Sequence, residues 1–436
     1  MALKSLHPRL PAELTDMVID HLRDDRKTLS ATSLAARAWL PRSRVHKFSQ
    51  LCVESDFEGL RADLTRAPHL RPYVRKLVLQ GPSPYGADPF TADAMLDTAD
   101  DADADDADAA DASHAPRPVL APRLLGELLA LLPHLRELQL HRVSLHARAE
   151  RAAPRGAQYR LARLTLMHVG GPRDMPGDVL RVLAFFGALG ALHLEGVAHA
   201  WAPATPPPAP HAARVRVGAL RLENAGGALL LDGLRAAVVP PALRALEAEI
   251  TDGGDAVAFA RMLAEAGPAL AHVAVDLRHC FCSDGNLASS PQLIADTLAA
   301  GLGTCTGLRS AEIVVPADAP EEGGEDAPAD VADAWACAAR TLARLPRSTE
   351  KLAIRLSAGA WDEQVPLARV GLDWAMLRGA LAPLAGLRSL TIGLAHDDAW
   401  WLEPADAAFL RQELAEWAEK DVLHVEVGLE VNEMDY

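Results

Sequence analysis

The sequence predicts an α/β chain, in which a short all-helical module precedes an array of parallel strands whose return segments, many of them helical, cross behind the strands. Three observations lead there. A six-residue pattern, apolar-x-x-apolar-x-apolar, recurs eleven times from Val74 to the C-terminal region. Most copies are separated by segments with apolar residues at helical spacing, the alternation expected of a parallel sheet. Before the first copy, about forty residues carry helical spacing and no strand pattern.

The N-terminal module reads as three short helices. Pro11 suits a first helical position, and Glu13 lies where the helix dipole favours a carboxylate. Leu14, Met17, Val18 and Leu22 form one apolar stripe, with Leu10 and Ile19 off it. Asp24 and Asp25 break the pattern, a second helix runs through Leu29 towards Leu34, and Pro41 opens a third carrying Val45 and Phe48, with Trp39 at the junction. A unit this small hides its apolar surface only with a disulfide, a metal or a partner. The stretch has no Cys and no cluster of metal ligands, which points to another polypeptide, either a separate protein or the next domain of this chain.

The order of short motifs here resembles the F-box family in its fungal form. LPAEL spans Leu10 to Leu14, IDHL Ile19 to Leu22, TL Thr28 and Leu29, SL Ser33 and Leu34, and RAWLPRSR Arg37 to Arg44. Thr32, Ala35 and Ala36 depart from the larger apolar residues usual in that family. The resemblance covers roughly a tenth of the chain. It implies that residues 6–50 bind the Skp adaptor of a cullin-type ubiquitin ligase, through Leu10, Pro11, Leu14, Ile19, Leu22, Leu34 and Trp39, and that the chain is a substrate receptor without chemistry of its own. The residues alone also fit a non-catalytic repeat scaffold whose helical N-terminus serves only architecture.

After a linker helix region at 51–73, the array runs over 74–436. Its copies read VRKLVL, LRELQL, LARLTL, LGALHL, VGALRL, LRALEA, LAHVAV, LRSAEI, TEKLAI, LRSLTI and VLHVEV. Starts at 135, 161, 189, 217, 243 and 270 lie 26, 28, 28, 26 and 27 residues apart, and later ones 35 to 41 apart. The shorter period resembles leucine-rich repeats, and the array resembles the irregular leucine-rich-repeat-like solenoids that follow many F-boxes, with helices on the convex side. Helices are expected at 123–132, 178–186, 255–266, 292–302, 332–345, 374–381 and 405–419. The proline-rich stretch 198–210 excludes one. Residues 87–115 interrupt the array and are expected to form a disordered acidic loop, because alternating Ala and Asp neither bury a core nor neutralise their own charge.

The chain has 436 residues, half of them hydrophobic, and a formal charge of −16. Ten aspartates between Asp88 and Asp111 supply much of this, leaving −16 + 10 = −6 elsewhere. An acidic surface argues against nucleic acid. The sequence has no signal segment and no membrane-length apolar run, and its five cysteines are scattered, so the expected location is cytoplasmic or nuclear.

Signs of chemistry are sparse. Asp101, Asp103 and Asp105 have calcium-loop spacing, but Asp106 replaces the required glycine and Ala112 the closing Glu. Gly301, Gly303 and Gly307 follow a helix and precede a strand, the reverse of a dinucleotide site, and read as a helix stop. Cys280 and Cys282 near His272 and His279 lack a second ligand pair. No GxSxG, HExxH or phosphate-loop sequence occurs, so no catalytic residue, cofactor or metal is expected. The residue after the last apolar position of successive copies faces outward, giving His141, Met167, Glu195, Glu223, Glu249 and Asp276. Four consecutive carboxylates, Glu195, Glu223, Glu249 and Asp276, form a column that suits a basic segment of a protein target, or else a solvated acidic face.

Overall fold

In the computed structural model, the residues described are 11–23, 25–82, 117–145, 159–169, 175–196, 214–224, 227–280, 290–317, 329–357, 367–370, 372–394 and 402–426. They fall into two compact units, Met1–Gly171 and Pro172–Tyr436. The expected loop at 87–115 and the proline-rich stretch at 198–210 lie outside the described residues.

The first unit begins with helices α1 (Ala12–His21), α2 (Arg26–Ala35) and α3 (Leu40–Ser49). Asp25 caps α2 by accepting the Thr28 N–H at 2.9 Å, which supplies one of the acceptors a helix N-terminus lacks. Asp20 ties α1 to α3. The Arg42 guanidinium donates to both of its oxygens at 2.6 and 2.5 Å, and His46 Nε2 lies 2.7 Å from one of them. The hydrogen bond from Arg42 holds the Asp20 carboxyl well below the usual carboxylate range.

α3 passes directly into strand β1 (Gln50–Glu54), and helix α4 (Phe57–Arg66) follows. The segment 51–73 is therefore the first strand-and-helix repeat as well as a helical connection. Its strand, QLCVE, lacks the six-residue apolar pattern that marks the others. Strand β2 (Lys76–Gln80), helix α5 (Pro122–Leu131), and strands β3 (Glu137–His141) and β4 (Tyr159–Met167) complete the unit. These strands are parallel and pair in sequence order, with Leu77 on Leu138 and Leu138 on Leu164. All three leucines are fully buried, so the apolar positions of the pattern make the inner face of the sheet.

The second unit repeats this plan. Helix α6 (Met175–Leu183) leads to strand β5 (Phe186–Glu195), which pairs with β6 (Arg216–Glu223). Helix α7 (Ala228–Ala237), strand β7 (Ala245–Glu249), helix α8 (Gly253–Ala266) and strand β8 (His272–Asp276) follow. Then come helix α9 (Pro291–Leu302), strand β9 (Ser310–Pro316), helix α10 (Ala329–Leu342) and strand β10 (Lys351–Ser357). Helix α11 (Trp374–Leu381), strand β11 (Ser389–Leu394), helices α12 (Pro404–Glu413) and α13 (Ala415–Glu419), and strand β12 (Leu423–Val425) end it. Strands β5 to β12 pair in sequence order, and every register resolved among them is parallel.

All eleven apolar motifs coincide with strands. The expected helix at 178–186 stops at Leu183, because Phe185 and Phe186 turn into the core and Phe186 opens β5. The expected helix at 405–419 is two helices broken at Leu414. Gly301 lies where α9 crosses α8: a Cβ there would sit 2.9 Å from the Ala260 Cα, so glycine permits the close approach. Together with Gly303, the C-cap of α9, it belongs to a helix end, as its position in the sequence implies.

Candidate functional site

Two surfaces stand out, one in each unit. On the N-terminal helices, Ile19 and Leu29 are buried, at 1 % and 0 % exposure, and hold the helices together. The apolar stripe of α1 faces out instead. Leu14 is 46 % exposed and Met17 56 %, while Leu34 on α2 is 87 % exposed and Val45 on α3 is also uncovered. Helix α1 is thus apolar on two sides and covered by this chain on one. Of the residues expected to meet an adaptor, Leu14, Leu34 and Pro11 are exposed, Leu22 and Trp39 are half-buried, and Leu10 lies outside the described residues. Ile19 is an interior residue, which removes it from the contact face.

The second surface is the face of the sheet opposite the leucines in the second unit. Register places Glu195 beside Glu223, and Glu249 beside Asp276. The column continues through Val314 and Arg355 to Gly393. The next outward column reads His193, Arg221, Glu247, Ala274, Glu312, Ala353, Thr391 and His424. Two steps of the carboxylate column expected from the sequence, Glu195 with Glu223 and Glu249 with Asp276, are therefore paired in register.

Its charges are largely engaged from within the chain. Glu223 is bonded to Arg221, and His193 Nε2 lies 2.6 Å from its other oxygen. Burial raises the Glu223 carboxyl, but the bonds from His193 and Arg221 outweigh it and bring the group down to about 2. Glu249 accepts the Asn224 backbone N–H at 2.6 Å and lies 3.7 Å from His279, its side chain only 8 % exposed. Asp276, 15 % exposed, pairs with Arg278 at 2.8 Å. Asn224, at φ 47°, aims its N–H in this way from a left-handed turn residue, a conformation asparagine tolerates better than most.

A polar cleft of ≈ 440 Å³ opens on this face, lined by Glu195, Glu223, Glu247, Glu249, Asp276 and Glu312 and by Arg221, Arg278 and Arg355. Six carboxylates against three arginines leave 3 − 6 = −3 with histidines neutral. Glu247 and Glu312, in the neighbouring outward column, are as exposed as Glu195. Glu312 marks the same outward position in the strand pattern as Glu247, so the register of the weaker motif LRSAEI carries the signal.

Among the described residues, one group offers three metal donors within 4.8 Å of one another: His193, Glu195 and Glu223. Spacing in the chain hides it, because Glu223 is brought in from the next strand. The alternative cluster has Cys280 fully buried, while Cys282 lies outside the described residues. No described helix is long and apolar enough to cross a membrane.

No protein-family model matches this sequence, and no curated protein matches it.

Proposed function

We propose that the chain is a substrate-receptor subunit of a Skp-cullin-F-box ubiquitin ligase. In this reading α1 to α3 are the F-box that holds the Skp adaptor, and the rest is a leucine-rich-repeat-like solenoid that holds a protein target. The observation that carries it is the exposure of the apolar Leu14, Met17, Leu34 and Val45 on helices whose sequence has the ordered F-box motifs. Several large apolar residues left exposed on a small helical unit mark a protein-binding surface. The role is one of proximity: the receptor raises the local concentration of target lysines at the transfer enzyme.

The target surface in this reading is the charged face with Glu195, Glu223, Glu249 and Asp276, widened by Glu247 and Glu312. Its surplus of negative charge suits a basic segment and sets register and partner choice more than affinity. Because Glu249 and Asp276 are only 8 % and 15 % exposed, the more exposed Glu195, Glu223, Glu247 and Glu312 carry the recognition.

Co-purification of the full chain with the Skp adaptor tests the proposal. Capture that is lost in a Leu14→Asp, Leu34→Asp double variant of unchanged circular dichroism supports it. No capture by the unaltered chain refutes it and favours a scaffold outside ubiquitin ligation.

A further inference from the structure

His193 and Glu195 are two residues apart on β5 and so project from the same face of the sheet. Glu223 on β6 registers directly on Glu195. Two glutamates opposite each other on adjacent strands repel unless a cation lies between or beside them. Arg221 relieves part of this by bonding one oxygen of Glu223, and in doing so it fixes the carboxylate with its second oxygen turned to His193. An outer group that orients a ligand in this way is a recurring feature of metal sites.

We propose that His193, Glu195 and Glu223 form a binding site for a first-row divalent metal ion, with Zn²⁺ as the best match. The donor set decides the class. One imidazole nitrogen and two carboxylate oxygens suit Zn²⁺ and its neighbours, whereas Ca²⁺ takes six or more oxygens. Zinc bound tetrahedrally at about 2.0–2.2 Å separates its ligand atoms by about 3.3 Å. His193 Nε2 stands 2.6 Å from Glu223 and 3.9 Å from Glu195, so the two separations bracket that value, and all three donors lie within 4.8 Å of one another. All three side chains are between a quarter and about a third exposed, which leaves an entry path and room for a water or a target-side donor in the remaining positions. The site stands whether or not the chain serves a ligase, because nothing in it involves the N-terminal helices.

Titration calorimetry of the full chain with ZnCl₂ tests it. One equivalent of Zn²⁺ binds, and His193→Gln or Glu195→Gln weakens binding at least tenfold, each variant retaining the parent's circular dichroism. His272→Gln and Cys280→Ser leave binding unchanged. Co²⁺ substitution gives the visible absorption of a nitrogen- and oxygen-ligated ion, and His193→Gln abolishes it. Absence of Zn²⁺ binding, binding undiminished in His193→Gln, or displacement of Zn²⁺ by equal Ca²⁺ overturns the proposal.

Discussion

Leu34→Ala separates a partner-binding role for the N-terminal helices from a purely architectural one. Leu34 is 87 % exposed in the free chain. Covering a leucine side chain completely stabilises by about 1.5–3 kcal/mol, so covering this one in a complex stabilises by about 1–2.5 kcal/mol. Truncation then weakens adaptor binding roughly 5- to 60-fold. The same change leaves the isolated chain within about 0.5 kcal/mol of the parent, since nothing packs on the lost atoms. Ile19→Ala does the reverse: at 1 % exposure it removes interior contacts and costs about 2–5 kcal/mol of folding stability. Surface plasmon resonance against immobilised Skp adaptor reads the first quantity, and denaturant unfolding reads the second. Adaptor affinity unchanged in Leu34→Ala, or a stability loss there equal to that of Ile19→Ala, refutes the assignment of this face.

Three further outcomes follow from the interior. Burial, with Arg142, His168 and Arg117 nearby, pulls His141 down to about 4 from its ordinary 6.5. The unfolded chain therefore takes up this proton first, so the stability His141 contributes is complete above pH 6.5 and is lost as pH falls to about 4. The loss is at most about 3 kcal/mol; His141→Gln should flatten the melting temperature between pH 4.5 and 7, and an unchanged slope contradicts the burial argument. Gly301→Val forces a side chain against Ala260 and Leu263 and is expected to destabilise by about 1–3 kcal/mol, measured by urea unfolding, whereas a neutral result denies the tight crossing of α8 and α9. Cys337 is buried and its thiol is pushed up to about 12, so the folded chain should label at half-exposed Cys52 well before Cys337 in timed thiol modification at pH 8, and the opposite order counts against the packing of α10.

The strands were legible because each one puts two or three large apolar residues on one side at period two, and the spacing of successive copies forces those sides together. β1 escaped because Leu51 and Val53 are too few to raise the pattern above background. α4 falls within the helical region expected at 51–73, whereas α7 escaped because Gly233 interrupts ALLLDGLRAA, although Leu230, Leu231 and Leu234 share a buried face. The carboxylate column could be read from the same spacing. What the sequence could not show is which cation answers each carboxylate. His193 reaches Glu223 across 30 residues and the Asn224 N–H reaches Glu249 across 25, and such pairs follow from register and side-chain direction rather than from any local motif.

In-register parallel repeats convert any recurring charge into a column of like charges about 4.8 Å apart. A chain that keeps glutamate at one outward position must therefore answer it from a neighbouring column, and here His193 and Arg221 stand two residues before Glu195 and Glu223 for that purpose. The answer is incomplete by design of the lattice: Arg221 serves both Glu223 and Glu247, and Arg355 serves both Glu312 and Glu426. Each shared arginine leaves one carboxylate under-compensated. The residual negative charge of this face therefore reflects six carboxylates lining the cleft against three arginines, two of which are shared, with Ala274 separating Glu247 from Glu312 in one outward column.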